Sequence, residues 1–119
     1  MRVYVLVTGV SPLRAFITKE GLARFATEKY ESPAGPNLTN MHMHLTNYAI
    51  NKDSEEFVFN YDQNRDDVGH KRSIKAVFRQ IEEKRQAQTR VDGQPRPSSL
   101  DIWNSIKDII LKTLLSVTP

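Results

Sequence analysis

The run Met43-His44-Leu45-Thr46-Asn47-Tyr48-Ala49-Ile50-Asn51-Lys52 sets an imidazole, a hydroxyl, two amides, a phenol and an amine side by side. Leu45 and Ile50 are its large branched apolar members. Such a run is too polar for a buried strand and too apolar for a solvated loop. It reads as the lining of a pocket, with the apolar residues anchored in a core and the polar ones turned toward a ligand. Thr46 and Asn47 are short and bond readily to nearby backbone, which suits a bend or a helix entry.

Two further places carry usable chemistry. Arg24 lies in a mostly apolar stretch, Leu22 to Lys29, that reads as a strand. One reading pairs it with a carboxylate on a neighbouring strand or sets it at a sheet edge. The other makes its planar fork a clamp for a carboxylate or phosphate. Glu28 shares its strand face, but four residues of strand put it roughly 13 Å away, too far for a direct pair. The second place is Gly69-His70-Lys71-Arg72-Ser73, a basic cluster directly before a helix. Lys71 and Arg72 there would suit an anion, aided by the helix dipole, or would form a solvated basic corner. His42 and His44 alternate with methionines and would face one side of an extended segment. A metal needs a third ligand, for which only His70 and scattered carboxylates are available, so a hydrogen-bonding role is favoured for His44.

These residues must be held by the elements around them. Val3-Tyr4-Val5-Leu6-Val7 is β-branched and aromatic on both faces, the pattern of a central strand. Gly9 to Pro12 gives a turn and Leu13 to Thr18 a second strand. Lys19-Glu20-Gly21 reads as a hairpin connection into the third strand, completing an antiparallel meander. Two prolines and a glycine within Pro33 to Pro36 then start a loop. Asp53 to Asp67 reads as a loop with one brief extended piece at Phe57-Val58-Phe59. Ile74, Val77, Phe78 and Ile81 fall at helical spacing. Residues 86–97, with Asp92-Gly93 and two prolines, read as a flexible insertion. Ser98 with Asp101 resembles a capping box opening a second helix, which carries Ile102, Trp103, Ile106, Ile109, Ile110 and Leu114. The fold class is thus α/β (α+β): a meander, a polar pocket segment and two helices.

The totals fit one small domain or part of one, with 119 residues, 39% hydrophobic and 26% charged. With no cysteine, a disulfide framework and a thiolate zinc site are both excluded. There is no apolar run long enough for a membrane span, and the N-terminus is a poor signal peptide, so a cytoplasmic setting is expected. Net charge is +3, which hints at an anionic partner. The basic residues are spread out and the aromatics show no stacking pattern, so nucleic acid is not expected. No glycine-rich phosphate loop and no nucleophile elbow occurs.

Three stretches taken together resemble the tubulin–tyrosine ligase-like family of amino-acid ligases, which have an ATP-grasp fold. They are Arg2 to Thr8, Gly21 to Tyr30 and His44 to Lys52, with Ile109 to Ser116 resembling the family's next helix. The wording is most like the polyglutamylase branch. The resemblance implies a ligase that uses ATP to activate a glutamate side chain in an acidic tubulin tail. The amine of free L-glutamate then attacks to form an isopeptide bond. By matching position, Arg24 would clamp the incoming glutamate and, with Arg2 beside the nucleotide, serve catalysis. Thr46, Asn47 and, more weakly, His44 would contact ATP, while Tyr48 and Lys71 would help bind glutamate.

Alanine at position 49, where polyglutamylases commonly have serine, alters one contact. The resemblance further implies that nucleotide-binding lysines precede position 1 and that Mg2+ ligands follow position 119, so the chain holds no metal ligands and is inactive by itself. Residues 1–119 would be the central part of a catalytic domain. The family setting is the cytoskeleton, including the cilium, the flagellar axoneme and the basal body. Two other readings stand beside this one: a non-catalytic microtubule-binding module, and a tubulin glycine ligase.

Overall fold

The computed structural model describes residues 1–62, 64–87, 90–91 and 94–118. In chain order the elements are β1 (Arg2–Val10), β2 (Leu13–Arg24), a 3-10 turn (Gly35–Asn37), α1 (Met41–His44) and α2 (Tyr48–Asn51). Then follow β3 (Lys71–Ser73), α3 (Ile74–Ala87), β4 (Arg90–Val91), β5 (Gln94–Pro95) and α4 (Ser99–Val117). A three-stranded antiparallel sheet in the order β1-β2-β3 carries helices, in keeping with the expected mixed α/β class. Its third strand, however, does not come from Leu22 to Lys29.

The reason lies in a bulge. Val3 pairs with Gly21, but Val5 pairs with Ile17, so Thr18, Lys19 and Glu20 together oppose the single residue Tyr4. Within it the Thr18 hydroxyl donates to the Glu20 carbonyl at 2.7 Å. The turn-like chemistry of Lys19-Glu20-Gly21 is therefore spent on a kink inside one long strand. Gly21 is required there. A Cβ would lie 2.3 Å from the Arg2 carbonyl oxygen and 2.5 Å from Ile74 Cδ1. With β2 running through to Arg24, its far edge is taken by Lys71–Ser73 instead.

Register and strand alternation fix two faces. Val3, Val5 and Val7 lie with Gly21, Ile17 and Ala15 on one side, where α3 and α4 pack. Ile74 and Val77 of α3, together with Ala23 and Ala76, form the buried apolar core among the described residues. Alongside, Phe78 meets Trp103 of α4 edge-on at 5.9 Å. Ile102, Trp103, Ile106, Ile110 and Leu114 are half-buried as their spacing predicts, but Ile109 is 63% exposed.

β1 is an edge strand and not a central one, since among the described residues it pairs with β2 alone. Leu6 and its partner Phe16 are 60% and 63% exposed. The chain is open for its size. Its radius of gyration is 17.3 Å, against about 13.5 Å for a compact chain of this length. Its accessible surface is 9209 Å², against about 6,600 Å² for a compact monomer of this mass.

Helix ends are capped as local chemistry dictates. Ser98 accepts from Asp101 N at 3.1 Å while its own N–H donates to Asp101 Oδ2 at 2.9 Å, the expected capping box. Of the span 86–97, Gln86 and Ala87 belong to α3 and residues 90–91 pair with 94–95. Residues 88, 89, 92 and 93 lie outside the described residues. No helix among the described residues is long and apolar enough to cross a membrane.

Candidate functional site

The sheet face opposite the helices carries the site. Arg2 on β1 pairs with Leu22 on β2, which pairs with Ser73 on β3; two residues along, Arg24 pairs with Lys71. Strand alternation thus turns Arg2, Arg24 and Lys71 to the same side. Directly opposed side chains sit about 5 Å apart at Cβ, and like charges placed so repel. None of the three makes an ion pair or a side-chain hydrogen bond among the described residues. The ion-pair reading of Arg24 therefore fails. Glu28 is taken elsewhere, accepting from Asn40 Nδ2 at 2.7 Å and lying 4.0 Å from His42.

Two adjoining cavities open on this face. The larger, about 460 Å³, is lined by Arg24, Lys71, Thr46 and Tyr48, with Phe25 and Phe57 among its apolar walls. The smaller, about 180 Å³, is lined by Arg2, Arg24 and Thr46 together with Met1 and Leu22. Arg24 and Thr46 line both. The structure therefore brings together Arg2, Arg24, Thr46, Tyr48 and Lys71, which are distant in sequence. It does not bring His44 or Asn47 to either cavity. His44 lies in α1, its Nε2 2.9 Å from the Asn37 carbonyl and its ring edge-on to Tyr30. The segment is helical, so the expected extended alternation of His42 and His44 does not occur. Asn47 is the N-cap of α2 without a side-chain cap bond, and its carbonyl accepts from Asn51 N at 3.0 Å.

Three residues from the stretches singled out in the sequence turn out to hold the cleft together, not to face a ligand as expected. Asn51 is 1% exposed and uses its whole amide. Its Oδ1 accepts from the Thr27 N–H and hydroxyl, both at 2.9 Å, and its Nδ2 donates to the Leu45 and Asn47 carbonyls at 2.8 and 3.0 Å. Arg72 lines the larger cavity too, but its guanidinium is engaged by the protein. It donates to the Gly69 carbonyl and to Gln80 Oε1, both at 2.8 Å, and its guanidinium lies 4.8 Å from the centre of the Phe25 ring. It is a brace between β3 and α3, with the aromatic contact adding to the hydrogen bonds. Gly69 takes φ +78, and a Cβ there would meet the Val58 carbonyl at 2.9 Å. Only glycine accommodates both conditions comfortably.

The helix-entry reading of Lys71-Arg72 is also corrected. Residues 71–73 are strand, and Ser73 fills the entry to α3, its hydroxyl accepting from Ala76 N at 3.0 Å while donating to Asp66. The helix dipole is thereby capped by protein. Lys71 presents its amine to the cleft through strand pairing instead.

The arrangement can hold an anion. Three cations without an ion pair among the described residues, a hydroxyl and a phenol border the two cavities, with aromatic side chains to exclude water; Arg65, Arg72 and a single carboxylate, Asp66, also line the larger one. No group of three or more histidine, aspartate or glutamate side chains is placed to hold a metal ion among the described residues.

Comparison with known proteins agrees with the extent of this architecture. The family described as the tubulin-tyrosine ligase family matches residues 1–118. A probable beta-tubulin polyglutamylase of Tetrahymena thermophila is 43% identical over 118 residues, 99% of this chain and 9% of that protein. A tubulin polyglutamylase of Mus musculus is 45% identical over 117 residues, 98% of this chain and 12% of that protein. A tubulin monoglutamylase of Mus musculus is 39% identical over 119 residues, all of this chain and 9% of that protein. The chain spans about a tenth of the length of these relatives. With the match running from residue 1 to residue 118, the chain belongs to the tubulin-tyrosine ligase family.

Proposed function

We propose that this chain contributes the amino-acid and nucleotide cleft of an ATP-dependent ligase that adds glutamate to glutamate side chains of tubulin C-terminal tails. The observation that carries the reading is the set of three cations on one sheet face, Arg2, Arg24 and Lys71, none paired among the described residues. Two like charges held opposite each other on neighbouring strands cost stability unless an anion fills the space between them. ATP, free L-glutamate and the acceptor tail are all anions. The relatives carry glutamylase names, which favours glutamate over glycine as the amino acid.

In this reading the acceptor's side-chain carboxylate attacks the terminal phosphorus of ATP and ADP leaves, giving an acylphosphate. The amine of free glutamate then attacks its carbonyl carbon, inorganic phosphate departs, and the amine gives up a proton as the isopeptide bond forms. Arg24 holds a carboxylate of the incoming glutamate through its fork, with Lys71 opposite and Tyr48 above the same cavity. Arg2 and Thr46 border the adjoining cavity on the nucleotide side. Positive charge set before the reaction stabilises the negative charge that develops on phosphate and carboxylate oxygens. Asn47 and His44 line neither cavity and support the nucleotide side indirectly, Asn47 through its bonds to Asn51 at the entry to α2 and His44 by fixing α1. Mg2+ would accompany ATP, but no cluster of three or more histidine or carboxylate side chains among the described residues is placed to hold it. The setting is cytoplasmic and cytoskeletal, with the ciliary axoneme and basal body as candidate sites.

The test is ATP-dependent incorporation of labelled L-glutamate into tubulin by the full-length protein. Incorporation of glutamate, not glycine, that is lost on removing tubulin tails is expected. Failure of the intact protein to incorporate either amino acid would refute the ligase reading.

A further inference from the structure

The side chain of Asn51 crosses from the strand that bears Arg24 to the segment that bears Thr46. Its carbonyl oxygen takes two hydrogen bonds from Thr27, three residues beyond Arg24 at the exit of β2. Its two N–H donors go to the carbonyls of Leu45 and Asn47, the residues on either side of Thr46. It is the single fully buried polar side chain among the described residues. A primary amide has two acceptor sites and two donors, and here all four are filled at 2.8 to 3.0 Å.

We infer that Asn51 is a positioning residue that sets the spacing between Arg24 and Thr46, and so between the amino-acid and nucleotide halves of the cleft. The inference rests on the ligase reading above. Arg24 and Thr46 border both cavities, yet they belong to separate elements and nothing among the described residues bonds one directly to the other. Nearby, the exit of β2 and the 45–47 turn are joined through the amide of Asn51, which lies in the wall of the larger cavity but is 1% exposed, with its polar atoms all bonded to the protein. The side chain cannot be replaced isosterically. Aspartate keeps the acceptor for Thr27 but turns a second oxygen toward two carbonyls, where two donors are needed. A buried carboxylate there is repelled and costly to desolvate, so the turn must move away from the strand.

The experiment compares full-length wild-type protein with Asn51→Asp, and with Thr27→Val as a milder variant that removes one hydroxyl donor. Glutamate incorporation is measured under saturating ATP and L-glutamate, at a temperature where melting curves show each protein folded. Misplacing reacting groups by about an ångström lowers rates by roughly 10- to 100-fold. A loss of that size in kcat is expected for Asn51→Asp, with KM for each substrate changed less than about threefold. Thr27→Val should lose only about two- to fivefold.

A pH series separates positioning from plain destabilisation. Once protonated, the aspartic acid regains one donor. The ratio of variant to wild-type kcat should therefore rise as pH falls from 8 to 6, which a purely structural defect in folded protein would not produce. Should Asn51→Asp fail to fold, Thr27→Val decides through its kcat alone. Rates within twofold of wild type in folded Asn51→Asp, or in Thr27→Val when the aspartate variant is unfolded, would overturn the inference and leave the ligase reading standing. A wild-type protein that shows no incorporation would overturn both.

Discussion

The cleft face of the sheet and the α3–α4 junction treat charge in opposite ways. At the junction, Glu82 Oε1 accepts from Ser99 N at 2.6 Å and Glu82 Oε2 from Arg85 Nε at 2.9 Å. Asp101 accepts from both the backbone and the hydroxyl of Ser98. These bonds hold both carboxyls below their ordinary range. Glu82 is lowered to about 2, chiefly by the Ser99 backbone N–H and then by Arg85. Asp101 is lowered chiefly by the Ser98 hydroxyl and then its N–H. On the cleft face, Arg2, Arg24 and Lys71 have no such answer among the described residues. A charge with a partner is serving the fold. Three without partners among the described residues are gathered on one face by strand register, and the ligase reading proposed above gives them anionic substrates as partners.

The sharpest way to break this contrast is Arg24→Ala. If the cleft cations serve a ligand, the substitution leaves folding intact and removes amino-acid use, with kcat/KM falling on the order of 1,000-fold, about 4 kcal/mol. Thermal stability should stay equal to wild type or rise slightly, because Lys71 loses its like-charged neighbour. A large loss of stability with unchanged affinity for L-glutamate would place Arg24 with the structural charges instead.

Gly21→Ala tests whether the two regions are mechanically joined. Its added methyl would sit within 2.5 Å of both the Arg2 carbonyl oxygen and Ile74 Cδ1, so β1 and α3 must separate. A loss of about 3 kcal/mol is expected from urea denaturation, at the upper end of overpacking costs. Because Arg2 is carried on the displaced strand, nucleotide affinity should fall with it. Stability within about 0.5 kcal/mol of wild type would show that the strand and helix give way without cost.

Gly21 also shows how far the sequence could be read. Its neighbours Lys19 and Glu20 have turn chemistry, and a bulge and a hairpin turn use the same chemistry. What separates them is the partner strand. Whether Tyr4 opposes one residue or three is decided by pairing, and the third strand arrives some 50 residues later. The elements set by local rules were legible: the β1 run, the 3.6-residue spacing from Ile74, and the Ser98–Asp101 box. Asn51 was not legible. An asparagine bonded wholly within the protein and one turned toward a ligand have the same letter, and its four hydrogen bonds go to three residues in two parts of the chain. His44 was misplaced for a related reason, since only the fold shows its ring nitrogen already engaged with Asn37.

Ser98→Ala acts on the junction alone. Loss of the N-cap hydroxyl removes one acceptor at the start of α4 and frees the Asp101 carboxylate, for a cost of about 1 kcal/mol. Glutamate incorporation at a temperature well below the melting point should be unaltered, in contrast to Arg24→Ala. A matching loss of activity would mean that the helix layer reaches into the cleft.

The smallest change at neutral pH, and the most specific in its pH dependence, is expected for Glu82→Gln. The folded-state pKa of Glu82 lies at about 2, below its ordinary value of 4.5. Its ionised form is therefore favoured by folding. The stabilisation it supplies is present in full above about pH 5 and is lost as pH falls toward 2. Glutamine keeps an acceptor for Ser99 N but carries no charge for Arg85 or for the start of α4. The stability difference between wild type and variant should be constant from pH 8 to pH 5 and close to zero near pH 2, as read from paired denaturation curves. The carboxylate is partly solvated, so added salt should shrink the Arg85 share of that difference and leave the Ser99 share in place. A difference that grew as the solution was acidified would reverse the sign. It would mean that the protonated acid, and not the carboxylate, is what joins α3 to α4.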